Sequence, residues 1–180
     1  MIFKTIDLLN KGENEYSIRK LVKQKKLFFV SHGLYSNSKV LMFDEKSLIT
    51  KYPNVIFTNL SAFYYYDLTD NIPNKFYVVT KSNEHKIKDK RIIQSFQKED
   101  TLNLGKVTIN YNGTNIKTYN LERLLIELIR LKAKYPTDIY YEVLNSFRDL
   151  KDKLDYSLII SYLKHFKHGD ILLNKIKELI

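Results

Sequence analysis

Apolar positions recur along this chain with two periods, one helical and one of two residues, and together they lay out a series of short elements. Ile2, Phe3, Ile6 and Leu9 fit one face of a short helix that Lys11-Gly12 ends. Ile18, Leu21 and Val22 stand at i, i+3 and i+4, which predicts a second helix from about Glu15 to Lys25 with Ser17 as its N-cap. Leu27-Phe28-Phe29-Val30 and Leu34-Tyr35, joined by Ser31-His32-Gly33, predict a tight hairpin. Lys39 to Phe43 reads as a strand. Asp44 to Tyr52 reads as a short helix stopped by Pro53, and Val55 to Phe57 as another strand.

The middle of the chain continues in the same mixed manner. Thr58 to Leu68 predicts an aromatic helix, with a turn marked by Pro73. Lys75 to Thr80 and Ile92 to Gln97 are strands by their β-branched and aromatic content, and Ser82 to Arg91 is a charged loop between them. Lys106 to Tyr111 and Thr114 to Tyr119 flank Asn112-Gly113, the strongest short signal for a hairpin. From Asn120 the pattern is helical. Leu121, Leu124, Leu125, Leu128, Ile129 and Leu131 make a stripe that runs to about Ala133. Pro136 opens a helix that buries Ile139, Val143, Leu144 and Phe147. Asp155 caps one with Leu158, Ile159, Tyr162, Leu163 and Phe166 inward. A last helix, from about Asp170 to Leu179, carries Ile171, Leu172, Leu173 and Ile176. No internal repeat or low-complexity linker interrupts the series.

The fold class expected is therefore α+β. Helix, turn, basic helix and hairpin at residues 1–36 match the layout of a winged helix-turn-helix, whose second helix lies in the major groove of duplex DNA. Residues 37–180 form the rest, with strands and short helices over 37–119 and helices over 120–180. A winged helix-turn-helix ordinarily carries one more helix ahead of these two. This chain starts at the helix-turn-helix itself; either the unit is abbreviated and leans on the rest of the protein or the sequence begins late, and a core so small is expected to pack against later segments. The basic helix has one apolar face, and its other positions carry Arg19, Lys20, Lys23, Gln24, Lys25 and Lys26. Arg19 and Gln24 suit base edges and the lysines suit phosphates. Tyr16, Ser17, Arg19, Lys20, Lys23, Gln24, Lys26 and His32 are the candidate DNA-contacting residues.

Charge sharpens this picture. The 180 residues carry a net charge of +10, and residues 1–36 hold seven Lys and Arg against three Asp and Glu. Positive charge is densest where a phosphate backbone would need it. A hydrophobic share of 44% excludes a disordered chain. The absence of cysteine removes disulfides and thiolate metal sites and suits a reducing cytoplasm. Met1-Ile2-Phe3-Lys4 is followed within a few positions by acidic and polar residues, unlike a signal peptide. No apolar run approaches the roughly 18 residues of a membrane span. A cytoplasmic protein with no membrane partner is expected.

Catalytic patterns are missing. His32, His85, His165 and His168 are not spaced i, i+4 from one another, and Gly12, Gly33, Gly105, Gly113 and Gly169 are isolated. Asp44-Glu45-Lys46 has the look of nuclease acids followed by a lysine, but acids at a helix N-terminus explain it through the macrodipole. No enzyme, metal site or cofactor is expected.

Three segments together resemble a known family. They are Ile18 to Lys23 through Leu27 to His32-Gly33-Leu34-Tyr35; Leu60 to Pro73, with Ser61, Ala62, Tyr64, Leu68 and Pro73; and Tyr119 to Arg130, with Leu121, Glu122 and Arg123. In this order and spacing the chain resembles the AbiEi antitoxins of AbiE abortive-infection systems, which are bacterial type IV toxin–antitoxin modules. It departs from that family at Tyr66, Asp67, Leu124 and Glu127. The resemblance implies a DNA-binding N-terminal unit that represses its own operon at inverted repeats. It also implies a C-terminal part that counteracts a nucleotidyltransferase-like toxin without needing a stable complex. Read from spacing alone, Glu122 favours the helix dipole and Arg123 forms an ion pair with a neighbouring strand. The alternative is a stand-alone winged-helix regulator whose C-terminal part senses a ligand or dimerises.

Overall fold

The computed structural model describes residues 2–31, 33–37 and 44–180. The architecture is mixed α+β, and the chain divides into two compact units, Met1–Asn54 and Val55–Ile180. The sequence pattern places its division after Ser36 instead. The predicted strand at Lys39 to Phe43 lies outside the described residues.

The first unit contains β1 (Ile2–Lys4), α1 (Thr5–Asn10), α2 (Glu15–Lys23), β2 (Phe28–Ser31), β3 (Leu34–Ser36) and α3 (Glu45–Lys51). Among the described residues its three strands form an antiparallel sheet in the order β1-β3-β2. Ile2 and Phe3 are therefore strand residues, not the start of the first helix. Pairing with Ser36 and Tyr35 satisfies their backbone groups, and the helix begins only at Thr5. Leu8, Ile18 and Leu27 make the buried core, with Phe3, Leu21, Val22 and Tyr35 packed on it. α3 packs against β1 and buries Leu48, but no α3 residue belongs to this small core. Asp44 caps α3 by accepting from the Ser47 amide at 2.6 Å.

The second unit contains β4 (Ile56–Phe57), α4 (Asn59–Tyr65), β5 (Phe76–Lys81), β6 (Ile92–Gln97), α5 (Glu99–Leu102), β7 (Lys106–Tyr111) and β8 (Thr114–Tyr119). Four longer helices follow: α6 (Leu121–Arg130), α7 (Thr137–Asp149), α8 (Tyr156–Leu163) and α9 (Gly169–Leu179). β4, β5 and β6 form one sheet, antiparallel then parallel. β7 and β8 form a hairpin whose turn residues, Asn112 and Gly113, both have positive φ, 47° and 75°. That is the left-handed pair a two-residue hairpin turn needs. The Thr118 hydroxyl donates to the Phe57 carbonyl at 3.0 Å and ties β8 to β4. None of the described helices is long and apolar enough to cross a membrane.

α6 is the axis of this unit. Every residue from Glu122 to Ile129 is buried, and α4, α7, α8 and α9 all pack on it. It ends at Arg130, short of the predicted Ala133, and a 3-10 turn at Lys132–Lys134 follows. α5 has no counterpart in the apolar pattern, because four residues are too few to show a period. Leu158 and Ile171, expected inward, are exposed at 36% and 54%. Their helices are short and each buries one narrow face, through Ile159 and Leu163 in α8 and Leu172 and Ile176 in α9.

The close approach at Gly105 yields a first prediction. Gly105 has φ +69°, and a Cβ there would stand 2.5 Å from Asn120 Oδ1 and 2.7 Å from Arg123 Cβ. Asn120 Oδ1 is the N-cap of α6, accepting from the Arg123 amide at 3.1 Å. Gly105→Ala is expected to cost about 1–2 kcal/mol for the left-handed backbone, with the displaced cap added to it. Urea denaturation that leaves the midpoint unchanged would refute this.

Burial pushes the hydroxyls of Tyr119 and Tyr135 far above the ordinary phenol range, with a smaller upward push from Glu127. A phenol whose folded pKa is raised contributes stability below its unfolded pKa, about 10, and loses it as pH rises beyond that value. The unit is therefore expected to unfold cooperatively at alkaline pH, with a step in tyrosinate absorbance coincident with loss of helical circular dichroism. Ionisation of both phenols with the fold intact would contradict this.

Candidate nucleic-acid interface

α2 owes its start to Asn14, not to Ser17. Asn14 Oδ1 accepts from the Ser17 amide and Ser17 Oγ accepts from the Asn14 amide, both at 2.8 Å, a reciprocal capping box. Ser17 sits three positions inside the cap, and its hydroxyl also donates to the Asn14 carbonyl at 2.9 Å. The hydroxyl is thus spent on the cap, which leaves Ser17 poorly suited to contact DNA. The sequence places Ser and Asn close together here, and either type caps helices, so spacing alone did not separate them.

The helix stops at Lys23. Gln24 takes the C-cap, and Lys25 adopts φ 57°, which turns the chain toward β2 and forbids further helix. Ile18 is buried at 2% and anchors one face. Tyr16, Arg19, Lys20, Lys23, Gln24, Lys25 and Lys26 are all exposed. Glu15 meets Arg19 at 3.5 Å, with both side chains about 80% exposed. A pair so solvated contributes little and leaves Arg19 available to a stronger anion.

Two concavities flank this face. One of about 480 Å³ lies between α2 and the hairpin, with Arg19, Ile18, Phe29 and Tyr35 among its walls. The other, of about 640 Å³, is lined by Tyr16, Arg19, Lys20, Lys23 and Gln24. Arg19 borders both. Phe29 is 52% exposed and meets Tyr35 edge to face, ring centres 6.0 Å apart. Five of the eight candidate contact residues thus share one accessible surface, Tyr16, Arg19, Lys20, Lys23 and Gln24, and Lys26 is exposed beyond the helix end. His32 lies outside the described residues. Phe29 was missed, because β2 gives no cue in sequence as to which of its apolar residues faces out.

The other candidate residues have structural work in the second unit. Ser61 is buried, and its hydroxyl accepts from the Tyr77 amide at 2.9 Å. Ala62 and Leu68 are in the core. Tyr64 is half-buried against Tyr65 and Tyr111, and Pro73 and Leu121 are half-buried. Glu122 accepts from the Asp155 amide at 3.1 Å, joining α6 to the start of α8.

Arg123 is fully buried, and its ionic partner is Glu127 on its own helix, not a strand carboxylate. Its Nε and Nη2 donate to Glu127 Oε1 at 3.1 and 2.7 Å. The neighbouring strand contributes a neutral partner, Gln97 Oε1 at 2.9 Å, and Nη1 donates to the Thr101 carbonyl at 2.9 Å. The guanidinium lies over the rings of Tyr119 and Phe166, 4.7 and 4.6 Å from their centres. Tyr119 donates its hydroxyl to the Leu102 carbonyl at 3.0 Å. Glu127 also takes Arg130 on its second oxygen. An i, i+4 and an i, i+3 partner were both present in the sequence, and helix geometry brings them together ahead of any strand. No protein-family model matches the chain, and no curated protein matches it.

Proposed function

We propose that the N-terminal unit is a winged helix-turn-helix that binds duplex DNA, and that the chain is an AbiEi-type antitoxin that represses its own operon. One observation carries the DNA-binding part. α2 anchors Ile18 inward and turns Arg19, Lys20 and Lys23 outward beside a hairpin with an exposed aromatic, and exposed Gln24 and Lys26 follow at and beyond its C-terminal end. A cationic helix face with a tyrosine and an amide within it offers phosphate neutralisation and base-edge hydrogen bonds on one surface.

The antitoxin part rests on the resemblance of residues 60–73 and 119–130. Most of those residues are buried, so they speak for a shared core more than for a shared surface. In this reading the chain is a binding protein, not an enzyme, and it opposes a nucleotidyltransferase-like toxin without needing a lasting complex. The test is made in cells. Co-expression with the neighbouring gene should restore growth that the neighbour alone suppresses, and a reporter driven by the upstream promoter should be repressed. Repression without rescue would favour the stand-alone regulator, and rescue without repression would remove the DNA-binding half.

A further inference from the structure

β5 and β6 are parallel neighbours, so the chain leaving β5 at Lys81 must return along the whole sheet before β6 begins. Such a return ordinarily takes a dozen residues or more, usually a helix. Here residues 82–91 suffice. The ends are fixed: the Ser82 amide donates to the Gln97 carbonyl and the Phe76 amide to the Arg91 carbonyl, both at 2.8 Å. A six-residue strand is about 17 Å long. Residues 82–84 and 90–91 are turns or bends, so the stretch between them is nearly fully extended.

An extended chain alternates its side chains, and the burial follows suit. Ile87 and Asp89 are half-buried, whereas Lys86, Lys88 and Lys90 are exposed. The strap is held in place. Gln94 on β6 accepts from the Ile87 amide at 2.7 Å and donates to Thr80 Oγ1 at 2.7 Å and to the His85 carbonyl at 3.4 Å. Asp89 grips the Arg91 guanidinium at 3.0 and 2.8 Å. The inward charges therefore compensate each other. Among the described residues, none of the three lysines is in an ion pair.

We propose that this strap is a rail for the phosphates of a single-stranded nucleic acid. Lys86 and Lys88 lie on the extended stretch and, as alternate residues, stand about 6.4–6.8 Å apart, close to the separation of successive phosphates along one strand, and Lys90 follows in the turn that ends the strap. Lysine ammonium groups meet phosphates as point charges and read no sequence. The row is one lysine wide, which suits one backbone and not two. Phe96 is 44% exposed and lies two residues beyond Gln94 on the same face of β6, at the end of the strap where exposed His85 sits. It offers a ring on which a base can stack beside the rail. The site lies in the second unit and is independent of α2, so it goes beyond the function proposed above.

The test uses the full chain and fluorescently labelled oligothymidylate and oligouridylate, with binding followed by anisotropy between 50 and 200 mM salt. Lys86/Lys88/Lys90→Ala should weaken binding about tenfold or more at 50 mM and reduce the salt slope by about 2. Phe96→Ala should weaken it about tenfold with the slope unchanged. Removing equal charge with Lys164/Lys167/Lys177→Ala should leave binding near that of the parent. The proposal is overturned if the parent binds neither oligonucleotide, if the rail variant binds like the parent, or if the equal-charge control loses as much. Loss of oligonucleotide binding in Arg19/Lys20/Lys23→Ala would move the site to α2 and overturn it too. A rail variant that loses promoter duplex instead would assign the strap to a different ligand.

Discussion

Glu127→Ala is expected to destabilise the Val55–Ile180 unit by about 3–5 kcal/mol, the range for removing one partner of a buried ion pair. The reason lies in what remains. Arg123 is fully buried and a guanidinium does not give up its proton at any accessible pH, so without Glu127 it keeps its charge with only neutral acceptors, Gln97 and Thr101. The converse change, Arg123→Ala, acts differently. Glu127 keeps Arg130 and the Gln97 amide, which donates at 3.1 Å, but the rings of Tyr119 and Phe166 lose the plane stacked between them. Arg123→Lys should rescue little, because an ammonium cannot reproduce the fork that meets Glu127, Gln97 and Thr101 together. Replacing both partners by apolar residues, Arg123→Met with Glu127→Leu, should recover much of the loss, since the cost is that of one orphaned charge. Chemical denaturation of Arg123→Met, Glu127→Leu and the double variant that combines them measures the coupling. A Glu127→Ala cost below about 1 kcal/mol, the level of a surface pair, would mean that this cluster does not organise α6.

That cluster marks where legibility in the sequence ended. The stripe of leucines located α6, and the spacing of Arg123, Glu127 and Arg130 was visible within it. The stripe nonetheless predicted one buried face, and the helix is buried all round. Four helices and a sheet close over it, and those long-range choices leave no trace in a local period. Hairpins fared best: Asn112-Gly113 fixes its own turn chemistry, and both flanking strands run over the predicted residues. Ile2 and Phe3 went to the wrong element because two apolar residues at the head of a helix look the same as two in an edge strand. Their partner, β3, lies more than thirty residues on. The segment 82–91 read as a charged loop. Its Lys-Ile-Lys-Asp-Lys alternation acquires meaning only once β5 and β6 are known to be parallel, because only then must the chain stretch to return. On α2, the exposed positions Tyr16, Arg19, Lys20 and Lys23 were legible from helical period, but the end of the helix at Lys23, which puts Lys25 and Lys26 beyond it, was not. The capping residue was not, because Asn14 and Ser17 compete for the same role.

Arg19/Lys20/Lys23→Ala is expected to weaken binding to the promoter duplex on the order of 100-fold at moderate salt and to reduce the salt slope by about 2, one unit for each lysine. The three side chains have different parts in this. Lys20 and Lys23 are fully solvated cations on the exposed face of α2, and each phosphate they neutralise contributes about one unit of slope with no preference for sequence. Arg19 borders both concavities, beside Phe29 on one side and Gln24 on the other, and its fork can take two acceptors on a guanine edge. Arg19→Ala alone should therefore relax sequence preference, whereas Lys20→Ala and Lys23→Ala should weaken specific and random duplexes alike. Glu15→Gln supplies the opposite sign. It removes the carboxylate 3.5 Å from Arg19 and a negative charge from the face proposed to meet phosphates, so binding should tighten a few-fold. None of these side chains supports the core, so thermal unfolding of the variants should match the parent, and altered binding can be read as a surface effect. Titrations of the upstream duplex and a scrambled one across salt decide the matter. Parallel salt lines for the parent and the triple variant would show that α2 does not face DNA, even if affinity falls.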